Sequence, residues 1–203
     1  IPAGNRPGGL AAGGGAVWSF SFLGPDVERV DAATGGVSTL HVDGASATGI
    51  AYGAGALWLS STRPSRILKV DPSSGALLAT FDLHPPFASR FSIIENWWLA
   101  FGGGALWATL PDYAAVVRLD TASGLLRYSR IPYGRPFGVA VGGGSAWVAT
   151  DHGVFRLDAT TGTPTGVALL PAATLSGFVS IAYAEGSAWF TNYDLGTLTR
   201  VSG

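Results

Sequence analysis

Short runs of alternating apolar and polar residues, broken every few positions by glycine, return five times along this chain. Each begins with a small, mostly apolar stretch, passes through a glycine turn and ends in tryptophan: GLAAGGGAVW to Trp18, GIAYGAGALW to Trp58, WLAFGGGALW to Trp107, GVAVGGGSAW to Trp147 and SIAYAEGSAW to Trp189. The tryptophans are 40, 49, 40 and 42 residues apart. A period of about 40 residues with strand-like content is the signature of a β-propeller array.

The second repeat shows the unit. Gly49–Tyr52 is small and apolar and predicts a first strand; Gly53-Ala54-Gly55 is a turn; Ala56–Ser60 alternates and predicts a second strand. A polar loop is expected over Ser61–Ser65, then a third strand over Arg66–Asp71, a turn over Pro72–Gly75 and a fourth strand over Ala76–Leu83. A basic-aliphatic pair precedes an aspartate in this third strand, and the pattern recurs at Asp31, Asp71, Asp120 and Asp158, with Ser202 in the fifth copy. Those aspartates are expected to accept hydrogen bonds from the amides of the following turn. The tryptophans are expected to be buried where neighbouring blades stack. Five-fold recurrence marks both as architecture.

The predicted fold is all-β: a propeller of four-stranded antiparallel blades forming one domain over 1–203, with repeats at about 8–42, 49–83, 98–131, 138–170 and 180–203. An insertion at 84–97 accounts for the 49-residue spacing and carries Phe87, Phe91 and Trp97. It reads equally as a loop over the mouth of the propeller or as one packed on its own blade. Residues 1–7 resemble the end of a fourth strand, and the last repeat stops after its third. The array is therefore either a five-blade ring zipped by its N-terminal stub or a segment of a larger ring. Isoleucine in place of methionine at residue 1 reads as a processed or trimmed product.

Composition narrows the function classes. A net charge of −1 supplies no broad field for nucleic acid. No apolar run is long enough to insert this segment into a membrane. The absence of cysteine removes disulfides and thiolate metal sites. The glycine runs lack the Lys-Ser/Thr and the helix of a phosphate-binding loop.

The small-residue first strand, the Ala-x-Trp-[Val/Phe]-[Ala/Thr]-[Thr/Asn] segment, the [Arg/Lys]-[Val/Leu]-Asp strand and the Thr-Gly or Ser-Gly turn resemble bacterial propellers with YVTN-type repeats and their virginiamycin B lyase-like relatives. Trp189-Phe190-Thr191-Asn192 with Gly196–Val201 is the nearest copy. The resemblance covers nearly the whole chain. It implies an extracellular, cell-surface or periplasmic location. For the lyase it implies a histidine base, an acid and magnesium on the loops of one face. No motif here carries the lyase residues over.

Candidate chemistry lies on the loops joining second to third strands and blade to blade, since these alone differ between repeats. They hold Asp26, Arg63, Arg66, Asp112, Tyr113, Asp151, His152, Asn192, Tyr193 and Asp194, with Arg6, Arg90, Glu95, Trp97 and Arg135 on the blade-to-blade loops. The ligand face is assigned to Arg63, Trp97, Asp112, Tyr113, Asp151, His152, Tyr193 and Asp194. His152 is the one candidate base or ligand, with Asp112 and Asp194 as acidic partners; the competing reading is an ordinary exposed turn. No cofactor is expected, and no spacing of acids makes a metal site, though three loop carboxylates suit a hard cation such as magnesium or calcium. Two functions stand: a non-enzymatic extracellular scaffold binding a small molecule, peptide or protein, and a lyase or hydrolase using His152 with a divalent cation. The sequence favours the scaffold.

Overall fold

The computed structural model describes residues 6–62, 64–87, 98–132, 134–169, 180–192 and 196–202. Its strands fall in five antiparallel sheets, taken in chain order as blades 1 to 5. Blade 1 is β1 (Pro7–Gly13), β2 (Ala16–Ser21), β3 (Asp26–Asp31) and β4 (Val37–His41). Blade 2 is β5 (Ala47–Gly53), β6 (Ala56–Thr62), β7 (Ser65–Val70) and β8 (Leu77–Asp82). Blade 3 is β9 (Leu99–Gly102), β10 (Ala105–Leu110), β11 (Ala115–Asp120) and β12 (Leu126–Arg130). Blade 4 is β13 (Pro136–Gly142), β14 (Ser145–Thr150), β15 (Gly153–Asp158) and β16 (Pro164–Leu169). Blade 5 shows three strands, β17 (Ile181–Ala184), β18 (Ser187–Asn192) and β19 (Thr197–Ser202). Each sheet runs in sequence order, the meander of a β-propeller blade. The only helical element among the described residues is the 3-10 turn Pro111–Tyr113.

The strand reading of blade 2 holds to within three residues at each boundary. One loop is shorter than expected: β6 runs on to Thr62 and β7 starts at Ser65, so residues 61, 62 and 65 of the polar stretch are strand. Asp26 likewise opens β3 and faces His41 of β4. Polarity alone does not mark a loop: Ser61 is polar yet fully buried within the ladder of two inner strands. The stub read at 1–5 lies outside the described residues.

The chain forms two compact units, one taking in blades 1 and 2 and the other blades 3 to 5 apart from Leu99. In the first, Trp18, Phe20, Val27, Val42, Leu57, Leu59, Leu68 and Val70 make one apolar core. In the second, Trp147, Ala149, Val154, Ala188 and Phe190 pack with Phe137 and Tyr183 around them.

The first-to-second-strand turns all put both central residues in the left-handed region: Gly14-Gly15, Ala54-Gly55, Gly103-Gly104, Gly143-Gly144 and Glu185-Gly186. That is the type I′ geometry whose twist matches an antiparallel hairpin. A Cβ at the second position meets nothing, so only backbone conformation selects glycine there. At Gly14 and Gly143 a side chain would also collide with Tyr52 or Tyr183 of the next blade. Those tyrosines stack on the preceding blade's tryptophan, Trp18–Tyr52 at 6.3 Å and Trp147–Tyr183 at 6.2 Å between ring centroids.

The basic residue of each third strand stands directly opposite the tryptophan across the ladder. In four blades its charge lies over the indole: Arg29 on Trp18, Lys69 on Trp58, Arg156 on Trp147 and Arg200 on Trp189, at 5.1–5.7 Å. The indole N–H of those four donates to the carbonyl five residues back. Blade 3 departs. Arg118 is buried and donates from Nε to the Ala159 carbonyl of blade 4 at 3.0 Å, and the buried Trp107 Nε1 has no partner. Trp18, Trp58, Trp107 and Trp147 are buried as expected, but Trp189 in the three-stranded sheet is only half-buried.

Candidate functional site

The two ends of a blade are chemically different. At the turn end of blades 1 to 4, the aspartate at the end of the third strand folds the next turn around its own carboxylate. Asp31 Oδ1 accepts from the amides of Ala33 and Thr34 and from the Thr34 hydroxyl. Asp71, Asp120 and Asp158 repeat the arrangement. Donors favour the charged form. The Thr34 amide and then its hydroxyl lower Asp31 to about 2, and the Ser73 hydroxyl and amide lower Asp71 to about 2. Asp120 and Asp158 are lowered in the same way, chiefly by the amides of Ser123 and Thr161. These are fold-holding carboxylates, as their recurrence implies.

Among the described residues no two loop-end connections match, and in the second unit three of them meet. The first follows β10: Pro111 at the start of the 3-10 turn presets φ, Ala114 ends it in the left-handed region, and Asp112 is buried in between. The second is the blade 3 to blade 4 connection, whose buried Ile131 donates its N–H to the Ala114 carbonyl at 2.7 Å. The third is Asp151-His152, the two-residue link from β14 to β15. Thr150 Oγ1 shapes it by accepting from the His152 and Gly153 amides at 3.0 and 3.1 Å.

Arg135 ties the three together. Its backbone N–H donates to Asp151 Oδ1 at 2.7 Å, its guanidinium lies over Phe137 at 5.7 Å, and its Nη2 is 4.0 Å from Asp112 Oδ1. The same Asp151 oxygen lies 2.8 Å from His152 Nδ1. Both acids are shielded, with side chains 12% exposed at Asp112 and 23% at Asp151, whereas the His152 side chain is 60% exposed. A carboxylate engaged at Nδ1 leaves Nε2 as the nitrogen open to a ligand. Gly134 makes this closure possible: its φ is +82°, and a side chain there would overlap the Asp151 carboxylate and crowd His152 Nδ1 and Thr150 Oγ1.

The structure thus brings together Asp112, Asp151 and His152 of the expected face, with the half-buried Tyr113 beside Asp112 in the same turn. Arg63, Trp97, Tyr193 and Asp194 lie outside the described residues. The acidic partner of His152 is its neighbour Asp151, while Asp112 faces Arg135. Of the insertion, Phe87 lies under the Arg130 guanidinium of β12 at 5.4 Å, and residues 88–97 lie outside the described residues. Arg135 was legible as a loop residue only; its link to two acids depends on the neighbouring blade. His41, in the first unit, has Asp26 2.8 Å from Nδ1 and Asp43 3.4 Å from Nε2, so both its nitrogens are engaged.

Among the described residues no three His, Asp or Glu side chains converge as a metal site requires. Of the two acids, Asp112 faces the Arg135 guanidinium, and Asp151 accepts the Arg135 amide and engages His152 Nδ1.

No family model and no curated protein match the chain. Solved structures do. A catalytically inactive virginiamycin B lyase from Staphylococcus aureus, crystallised with quinupristin, superposes with a TM-score of 0.75 and 18% identity over 98% of this chain and 70% of its own. A streptogramin B lyase gives 0.65 and 17% over 100% and 84%. The computationally designed Ika4 protein gives 0.61 and 14% over 80% and 96%. These neighbours establish a β-propeller of the lyase-like kind. At such identities the likeness is one of fold, and a fold shared by a lyase and a designed protein names no activity.

Proposed function

We propose that this chain is a ligand-binding β-propeller whose working surface is the loop end of blades 3 and 4. The observation that carries the reading is Arg135, which joins two shielded acids from different blades and leaves the exposed His152 imidazole beside them. Unlike loops converging on one place build an asymmetric site; repeated turns do not. The ligand is a small molecule or peptide that offers polar groups to both a guanidinium and an imidazole. Quinupristin, held by a structural neighbour, is the first compound to try.

Calorimetric titration of quinupristin and of a cyclic-peptide panel into the wild type, His152→Ala and Gly55→Ala tests this. The account expects binding that falls at least tenfold in His152→Ala and stays unchanged in the turn-end variant. Equal affinity across all three removes the loop-end assignment.

A lyase is the second reading, favoured by the Asp151–His152 pair on this fold. Incubation with quinupristin then yields a new product separable from it by chromatography, absent with His152→Ala. Intact quinupristin after prolonged incubation leaves binding as the function.

A further inference from the structure

We infer that Asp151 is a positioning residue: it holds His152 in the Nδ1–H tautomer, so that Nε2 presents a lone pair to a ligand group carrying an N–H or O–H. The inference rests on the loop-end reading for its ligand, but not for its geometry. A neutral imidazole has one donor and one acceptor nitrogen, and the hydrogen bond made by one decides the state of the other. Asp151 Oδ1, 2.8 Å from Nδ1, is a carboxylate and only accepts. Nδ1 must therefore carry the proton, and Nε2 is the acceptor.

One contact and two features of the backbone keep the carboxylate in place. The Arg135 amide donates to the same oxygen at 2.7 Å. The Thr150 hydroxyl fixes the turn from which both side chains project, accepting from two of its amides. Gly134 leaves the space that the carboxylate fills. The charged groups around the imidazole are Asp151, Arg135 and, through Arg135, Asp112. His41 differs in kind. It too has a carboxylate at Nδ1, but a second one, Asp43, lies 3.4 Å from its Nε2. An Nε2 acceptor selects a ligand that offers an N–H or O–H donor. A peptide amide is such a donor.

Long-range proton–nitrogen NMR on histidine-labelled protein at about pH 9, well above the ordinary histidine pKa of about 6.5, reads the tautomer directly. With three histidines in the chain, His152→Gln assigns the signal. The wild type is expected to show Nε2 as the unprotonated nitrogen, favoured roughly tenfold or more, the factor that a hydrogen bond to a charged acceptor supplies. Asp151→Ala should return the ring toward Nε2–H. Gly134→Ala, which keeps the carboxylate but displaces it, should do the same. A wild-type His152 predominantly in the Nε2–H form overturns the inference, as does a folded Asp151→Ala variant with an unchanged tautomer. The reading needs no ligand, so its failure is separate from a failure of quinupristin to bind.

Discussion

The two ends of each blade are made from the same strands and obey different rules. At the turn end, residues recur because the backbone demands them: a left-handed glycine at position two of every first turn, and an aspartate whose carboxylate gathers the amides of the last. At the loop end the described connections include Phe22–Pro25 in blade 1, Val42–Ser46 between blades 1 and 2, a 3-10 turn in blade 3 and Asp151-His152 in blade 4. The turn end shows what the fold requires five times over. The loop end shows what the fold leaves free, and it is there that Arg135, Asp112, Asp151 and His152 meet.

The largest expected effect falls on what both ends share. Trp147→Ala should cost about 3–5 kcal/mol in denaturant melts, the range for a large buried aromatic, since it removes the stack on Tyr183 and the seat of Arg156. Trp189→Ala, at a half-buried site, should cost clearly less. Equal losses would mean that the ladder, not burial, sets the energy.

Next come the glycines, which separate the ends. Gly134→Ala strains a left-handed backbone and drives a methyl into Asp151, and is expected to cost about 2–3 kcal/mol. Gly144→Ala strains the backbone alone, with open space around the methyl, and should cost about 1 kcal/mol. The reverse order in thermal melts would place the tighter packing at the turns.

Acid should then loosen the turn end. Asp31 and Asp71 are lowered to about 2 in the folded chain, against an ordinary aspartate value of about 3.9. A lowered carboxylate contributes stability that is present above the unfolded value and lost as pH falls through the folded one. The Tm should therefore drop between about pH 4 and pH 2, and the double variant Asp31→Asn with Asp71→Asn should flatten part of that drop. An unaltered slope would deny the turn carboxylates their role.

The smallest effects belong to the site. Tyr113→Ala and His152→Ala are each expected to change stability by about 0.5 kcal/mol or less, because loop-end side chains are not what holds the blades. Differential scanning calorimetry checks this against the tryptophan variants.

Much of this fold is legible in the sequence because the same physical demand repeats. Tryptophan, the basic residue opposite it and the turn aspartate appear at matching positions, so each copy supports the others. The reading runs out where neighbours decide. Blade 3 has the same Trp107 and Arg118 spelling as its sisters, yet Arg118 leaves the indole for the Ala159 carbonyl of blade 4 and the Trp107 N–H goes without a partner. Nothing local in either residue encodes that. The same holds for Arg135, an ordinary loop arginine until blade 4 brings Asp151 and blade 3 brings Asp112. Asp151 and His152 were visible because a two-residue link of Asp and His is unlike its four counterparts.

The central claim is that the loop end of blades 3 and 4 is the working surface, and amide chemical-shift mapping during a quinupristin titration tests it most directly. The account expects saturable shifts gathered at residues 111–114, 134–135 and 151–153, with the turns at 54–55, 103–104 and 143–144 unmoved. Shifts confined to those turns, or spread evenly over all five blades, would contradict it.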